Sequence, residues 1–89
     1  MKFRTERARY VARLEQLPGL RVIPSQANYV MAELTGDMTA KALTRRLLID
    51  HDILIKDLTA KVGGQFIRLA VRDQGDNDAL VDALRQLLQ

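Results

Sequence analysis

The chain has 89 residues, a net charge of +3 and 47% hydrophobic residues. This length is enough for a single domain with one modest core, but too short for the catalytic half of an ordinary metabolic enzyme. Without cysteine and with one histidine, the chain can form neither disulfides nor thiolate or multi-histidine metal sites. Arginines interrupt every apolar run of the first segment, which excludes a secretion signal or membrane span there. We therefore expect a cytoplasmic domain with no membrane partner.

The first half of the chain predicts a helix followed by two strands. Apolar residues at helical spacing and the stop signal Pro18-Gly19 predict a helix that runs to about Leu17; its apolar positions are Phe3, Tyr10, Val11, Leu14 and Leu17. Two extended stretches, 20–23 and 27–34, follow on either side of Pro24. A proline cannot donate to a sheet ladder, so these stretches read as separate strands.

The second half predicts helix, strand, strand and helix. Ala40, Leu43, Leu47 and Leu48 indicate an amphipathic helix that ends near His51. The short apolar runs 53–55 and 66–71 predict an antiparallel pair, joined by a loop over 59–64. A final helix carries its apolar stripe at Leu80, Ala83, Leu84, Leu87 and Leu88, with aspartates at 73, 76 and 78 favouring the positive end of its dipole.

The order α-β-β-α-β-β-α predicts an α+β domain over residues 1–89. Each apolar stripe must find a partner, so we expect a two-layer sandwich in which the helices cover one face of a mostly antiparallel sheet. The other face lacks a helical cover, and function is to be sought there.

The arginines of the first segment allow two interpretations. Arg4, Arg7, Arg9 and Arg13 could bind a phosphate backbone, or they could form the solvated face of the first helix. Charged helix faces are usually solvated, so the second interpretation is favoured and nucleic acid is disfavoured as a partner.

Three polar residues in the predicted strands are candidates for a binding site. Arg68 interrupts an apolar run and shares a strand face with Phe66 and Ala70; it is either an ordinary exposed arginine or a fork for a carboxylate or phosphate. Lys56 could stand beside it on the neighbouring strand and complete an anion cradle, or it could pair with Asp57 or begin the loop. Asn28 could be an edge residue or a hydrogen-bonding group for a ligand.

His51 stands between two aspartates, which on paper resembles a catalytic dyad. Adjacent residues point in different directions, and no serine or cysteine nucleophile accompanies it. We interpret His51 as a cation at the end of its helix. The Gly63-Gly64 turn lacks the length and ending of a phosphate-binding loop.

The segments in their order resemble the C-terminal domain of the histidinol-phosphate aminotransferase and threonine-phosphate decarboxylase branch of the fold-type I pyridoxal-phosphate enzymes. The resemblance rests on the sequences Ala-Asn-Tyr-Val at 27–30, Ile-Leu-Ile-Lys-Asp at 53–57, Phe-Ile-Arg-Leu-Ala-Val at 66–71 and Asn-Asp-Ala-Leu at 77–80. It covers nearly the whole chain.

The resemblance implies roles for the three candidates. Arg68 matches the arginine that binds the substrate carboxylate or phosphate, and Lys56 falls where the family often has an arginine before aspartate. Lysine keeps the charge and loses the bidentate fork. Asn28 falls near the mouth of the active site. Glycines usual in the aminotransferases are replaced by Asp52 and Arg72, which leans toward decarboxylase-like or divergent members.

The resemblance also implies what this chain lacks. Family members hold pyridoxal phosphate on a preceding large domain, through a lysine in a Ser-x-x-Lys context, an aspartate and a phosphate cup. None of those motifs occurs here, so we expect no catalytic residue, no cofactor-binding residue and no metal ligand in the chain. Its expected partners are a small-molecule substrate and the large domain of a parent enzyme, itself a homodimer.

Two further functions remain open from the sequence. A basic open sheet face could bind RNA or protein as a small module, although base stacking wants more aromatics than Tyr29 and Phe66. A stand-alone regulatory or dimerising fragment is the third possibility, because an uncovered apolar face would drive self-association.

Overall fold

A computed structural model of the chain describes residues 2–23 and 28–88, with side chains from Thr5 onward. The elements are α1 (Lys2–Glu15), β1 (Leu20–Ile23), β2 (Tyr29–Leu34), α2 (Ala40–His51), β3 (Lys56–Asp57), α3 (Thr59–Val62), β4 (Phe66–Ala70) and α4 (Gln74–Leu88). The predicted α+β class is confirmed. The predicted positions of Phe3 in the helix stripe and of Ala27 in the strand lie outside the described side chains.

The strands form one antiparallel sheet in the order β1-β2-β4-β3. Alternate residues of the two central strands, β2 and β4, are buried against the helices, and their neighbours face away. The buried core is supplied by α1, α2 and α4 together with these strands; its largest members include Tyr10, Leu14, Leu43, Leu47, Val30, Ile67, Leu69 and Leu84. The helices thus cover one face of the sheet, as the sequence predicted.

The structure differs from the prediction in three places. Helix α1 ends at Glu15 rather than at Leu17, because Pro18 disfavours helical geometry in the residue before it. Residues 53–55 form no ladder, and the strand that pairs with β4 begins only at Lys56. The predicted loop over 59–64 contains the one-turn helix α3. The Asp57 carboxylate accepts hydrogen bonds from the backbone N–H (2.9 Å) and hydroxyl (2.6 Å) of Thr59, the first residue of this helix.

A polar network joins α1, α4 and the segment between β4 and α4. Asn77 is 1% exposed, and its Nδ2 donates to Glu6 Oε2 (2.8 Å) and to the Arg72 carbonyl (2.9 Å). Its Oδ1 accepts from the Arg72 backbone N–H (2.9 Å). Every polar atom of this buried amide therefore has a partner, as burial requires.

Ion pairs extend the same network along the helices. Arg9 donates to both Glu6 and Asp78 at 2.8 Å, and Arg13 donates to Asp78 at 2.6 Å. Arg9 and Arg13 are therefore half-buried and paired, which differs from the solvated face expected from the sequence. Asp73 accepts from the Asp76 backbone N–H (2.8 Å) and caps α4, as acidic residues near a helix start favour.

The network makes stability depend on pH. Hydrogen bonds from Arg9 and then Asn77 lower the pKa of Glu6 below its usual value of 4.5, and those from Arg9 and Arg13 lower the pKa of Asp78 below 3.8. A carboxyl whose pKa is lower when folded stabilises the fold above its unfolded pKa, and the contribution is lost as pH falls through the folded value. We expect the midpoint of urea unfolding to be level near pH 7 and to fall progressively below about pH 4.5.

Glu6→Gln provides the comparison for this pH profile. It should unfold at a lower urea concentration at pH 7 and show a shallower decline toward acid. Glu15→Gln, on the exposed side of the same helix, should keep the profile of the unaltered chain. Equal acid sensitivity in Glu6→Gln and the unaltered chain would contradict this assignment.

Asp52 ends α2 in the left-handed conformation, with φ 56° and ψ 37°. It is the one non-glycine residue with positive φ in the described chain. Glycine adopts this conformation without the steric cost of a Cβ atom. Asp52 therefore occupies a backbone position whose geometry suits glycine.

Two substitutions at Asp52 should therefore change the free energy of unfolding in opposite directions. We expect Asp52→Gly to raise the free energy of unfolding by about 1 kcal/mol, because it removes the left-handed strain. Asp52→Ala should lower it by a similar amount, because aspartate tolerates the left-handed region better than alanine does. Urea unfolding of both variants tests this, and Ala42→Gly, inside the same helix, should destabilise by about 1 kcal/mol.

Candidate functional site

The face of the sheet away from the helices carries most of the charged strand residues. In β4 the exposed positions alternate with buried Ile67 and Leu69 and place Arg68 outward, as predicted. The register then assigns the neighbours of Arg68 on this open face. The open face comprises Arg21, Ile23, Tyr29, Met31, Glu33, Lys56, Phe66, Arg68 and Ala70.

Lys56 and Arg68 stand directly opposite each other on β3 and β4. Opposed residues of antiparallel strands have Cα atoms about 4.5–5.5 Å apart, so both cations project from one spot on the open face. Both side chains are exposed, and neither joins an ion pair within the described part of the chain. Like charges at opposed positions are unfavourable, and an anion between them would relieve that repulsion.

Asp57 does not neutralise Lys56. It pairs with Ile67 in the register and so lies on the other face of the ladder. Its carboxylate is engaged by Thr59, whose hydrogen bonds are the main reason that the pKa of Asp57 is lowered; the charge of Lys56 is a smaller cause. The alternative interpretation of Lys56 as the partner of Asp57 or the start of a loop is therefore not what the structure shows.

The guanidinium of Arg68 lies over the ring of Tyr29, with its Cζ atom 5.1 Å from the ring centroid. Tyr29 is opposite Ala70 in the register, so the residue across from the ring is small and leaves room for the arginine side chain. A cation at this distance from an aromatic face is attracted by the ring. This contact follows from the alternation of β2 and β4 only once their register is known, and the sequence does not contain that register.

Asn28 lies at the end of the β2–β4 ladder. Its carbonyl accepts a hydrogen bond from the Val71 backbone N–H (3.0 Å), and its side chain is exposed. Together with Tyr29, Lys56 and Arg68 it lines an open depression of about 800 Å³. The structure thus brings the three candidate residues of the sequence to one surface.

The walls of the depression come from the end of the sheet and from α2. Thr44 of α2 and the strongly exposed Leu54 also line it. Neither residue was predicted from the sequence as part of a site. Leu54 precedes Lys56 by two residues, which places an apolar side chain beside the two cations.

The other candidate chemistry is not assembled. His51 lies in the last turn of α2, as predicted, and its neighbour Asp50 instead accepts a hydrogen bond from Arg46 (2.7 Å). Within residues 2–23 and 28–88, no three histidine, aspartate or glutamate side chains cluster as metal ligands would. None of the helices in those ranges is long and apolar enough to cross a membrane.

The open face is poorly equipped for base stacking. The described strands place two aromatic residues on it, Tyr29 and the half-buried Phe66, and the Tyr29 ring already contacts Arg68. Recognition of single-stranded RNA on a sheet relies on aromatic rings free to stack on bases. The observed face suits a small anion better.

Comparison with known proteins identifies the family of the chain. The family model for aminotransferase class I and II matches residues 1–84. The chain is 36% identical over 83 residues to histidinol-phosphate aminotransferase of Roseiflexus castenholzii, and 34% identical over 88 residues to threonine-phosphate decarboxylase of Salmonella typhimurium. These alignments cover 92% and 96% of this chain, but only 22% and 23% of the two relatives.

Solved structures show the same relationship. A decarboxylase from Sulfurospirillum multivorans superposes with a TM-score of 0.93 at 30% identity, over 99% of this chain and 23% of the other. The chain thus spans less than a quarter of the length of each of these three relatives. On sequence and on structure alike, the chain belongs to the aminotransferase class I and II family.

Proposed function

We propose that this chain is the small C-terminal domain of a pyridoxal-phosphate-dependent aminotransferase, or of a closely related decarboxylase, and that it binds the anionic group of the substrate. One observation carries the proposal, namely the pair of unpaired cations, Lys56 and Arg68, at opposed positions of two strands. Both cations belong to strands of one sheet, and strands hold a binding group more accurately than loops do.

The chemistry of the two cations differs. The guanidinium of Arg68 is a planar fork that can donate two parallel hydrogen bonds to a carboxylate or phosphate. The ammonium of Lys56 is a compact charge with three donors and no fixed plane. Asn28, at the rim, can donate or accept a hydrogen bond. The site therefore suits a group with several negatively charged oxygens.

The names of the relatives support a phosphate group. Those relatives act on histidinol phosphate and threonine phosphate, and both names include a phosphorylated amine or amino acid. We assign Arg68 and Lys56 to the anionic group of such a substrate, so that the reacting amine is held at a fixed distance from them. Positioning of this kind lowers the entropic part of the barrier, and the described residues contribute no proton transfer.

The cofactor of the family would be bound elsewhere. Lys56 lines the depression but stands opposite Arg68, and the one carboxylate among the lining residues, that of Asp57, already accepts two hydrogen bonds from Thr59. Lys41 and Lys61 are exposed outside the depression. The described residues therefore do not fit pyridoxal phosphate, and we assign it to the large domain of a parent enzyme. We propose that this parent is a cytoplasmic homodimer and that the chain is inactive alone.

The proposal is tested by titrating the 89-residue chain with inorganic phosphate at constant ionic strength and following backbone amide signals by NMR. We expect shifts concentrated at β3, β4 and Asn28. Arg68→Gln should weaken phosphate binding about tenfold, as loss of a charge-assisted pair of hydrogen bonds implies. The phosphate affinity of Arg68→Lys should lie between those of the unaltered chain and Arg68→Gln, because lysine keeps the charge without the planar fork.

Lys61→Gln is the matched control for Lys56→Gln, since both remove one exposed lysine. Only Lys56→Gln should weaken binding severalfold, and Lys56→Arg should bind at least as tightly as the unaltered chain. Equal weakening by Lys56→Gln and Lys61→Gln would reduce the effect to net charge and overturn the assigned site.

A further inference from the structure

Arg68 has two neighbours on the open face that could hold its side chain. It stands opposite Met31 in the register, so its diagonal neighbours on β2 are Tyr29 on one side and Glu33 on the other. Diagonal neighbours lie within reach of aromatic and long side chains. Of the residues in the four described strands, Glu33 is the one carboxylate on this face.

Arg68 contacts Tyr29 and forms no ion pair with Glu33. The neighbouring strand β1 explains this choice, because Arg21 stands opposite Glu33 there. Arg21 Nε and Nη2 both donate to Glu33 Oε1, at 2.9 and 2.6 Å. The carboxylate that could capture Arg68 is thus already held from the other side.

The two alternatives for Arg68 are close in strength. An exposed ion pair and an exposed cation–π contact each contribute little, so the orientation of Arg68 depends on what else competes for Glu33. An Arg68 paired with Glu33 would be neutralised and turned away from the rim at Asn28. An Arg68 over Tyr29 keeps its charge available at the depression.

We propose that Arg21 is a positioning residue that acts through Glu33, holding this carboxylate so that Arg68 stays against Tyr29 and remains free for an anion. The value of that free charge rests on the proposed function, whereas the orientation of Arg68 does not. Tyr29 supplies the attraction on one side, and Arg21 removes the competitor on the other.

The orientation is measured first, on the 89-residue chain without ligand. The Tyr29 ring should shift the Arg68 side-chain protons upfield in the NMR spectrum, because they lie over the ring face. Arg21→Gln should abolish much of this shift, as the released Glu33 captures Arg68. Glu33→Gln alone should keep it, and Arg21→Gln/Glu33→Gln should restore it. Tyr29→Phe should keep it and Tyr29→Leu should lose it.

Arg46→Gln is the matched control, because it also removes one arginine from an exposed ion pair, with Asp50 on α2. It should leave the Arg68 signals unchanged. The inference is overturned if Arg21→Gln also leaves them unchanged, or if the double variant fails to restore them.

Inorganic phosphate then separates this inference from the proposed function. Arg21→Gln should weaken phosphate binding about threefold, on the scale of an exposed ion pair, and the double variant should return it to the original value. If the unaltered chain binds no phosphate while the Arg68 signals respond as expected, the proposed function fails and the positioning role stands. If phosphate binds and Arg21→Gln changes neither affinity nor signals, the positioning role fails alone.

Discussion

The register of β2 against β4 is the constraint on which the remainder of the structure depends. It pairs Val30 with Leu69 and Ala32 with Ile67, and so sets these side chains together against the helices. Because side chains alternate along a strand, a slip of one residue would exchange the two faces of the sheet. The slip would bury Arg68 in the core and expose Ile67 and Leu69. The hydrophobic core therefore fixes the orientation of Arg68 without any contact from a ligand.

This separation of the two faces of the sheet explains how the chain tolerates two cations at opposed positions. Two cations at opposed positions weaken the β3–β4 pair, and β3 is only two residues long. The cost is offset on the other face, where the buried side chains of the strands and helices supply the stability. In the same way, Asp52 keeps a left-handed backbone because its helix is anchored by Leu43 and Leu47. The positions of Lys56 and Arg68 are thus supported from the opposite face of the sheet.

The sequence predicted the parts of this molecule that periodicity controls. Alternation in 66–71 was enough to place Arg68 outward, and helical spacing was enough to find α1, α2 and α4. The β-branched composition of residues 53–55 predicted a strand. Whether these residues pair with β4 depends on the direction in which the chain leaves Asp52, and composition gives no information on that direction. The contacts of Tyr29 and Glu33 with the two arginines were likewise invisible, because diagonal neighbours exist only once strands are paired. The buried Asn77 was noted only as part of a resemblance, although its amide joins three segments.

The α1–α4 network has a consequence for the way the chain acquires its structure. The hydrogen bonds that Asn77 donates to Glu6 and that Arg9 donates to Asp78 join residues separated by 71 and 69 positions. To form contacts between residues so distant in sequence, the chain must first close a large loop. This closure costs chain entropy before the contacts stabilise the fold. During synthesis α1 is made before α4, so the polar side chains of α1 find these partners only after α4 has been made. In a nascent chain that lacks α4, α1 and the apolar side of β1 and β2 have not reached their final packing. The domain then folds as one cooperative unit only when α4 has emerged.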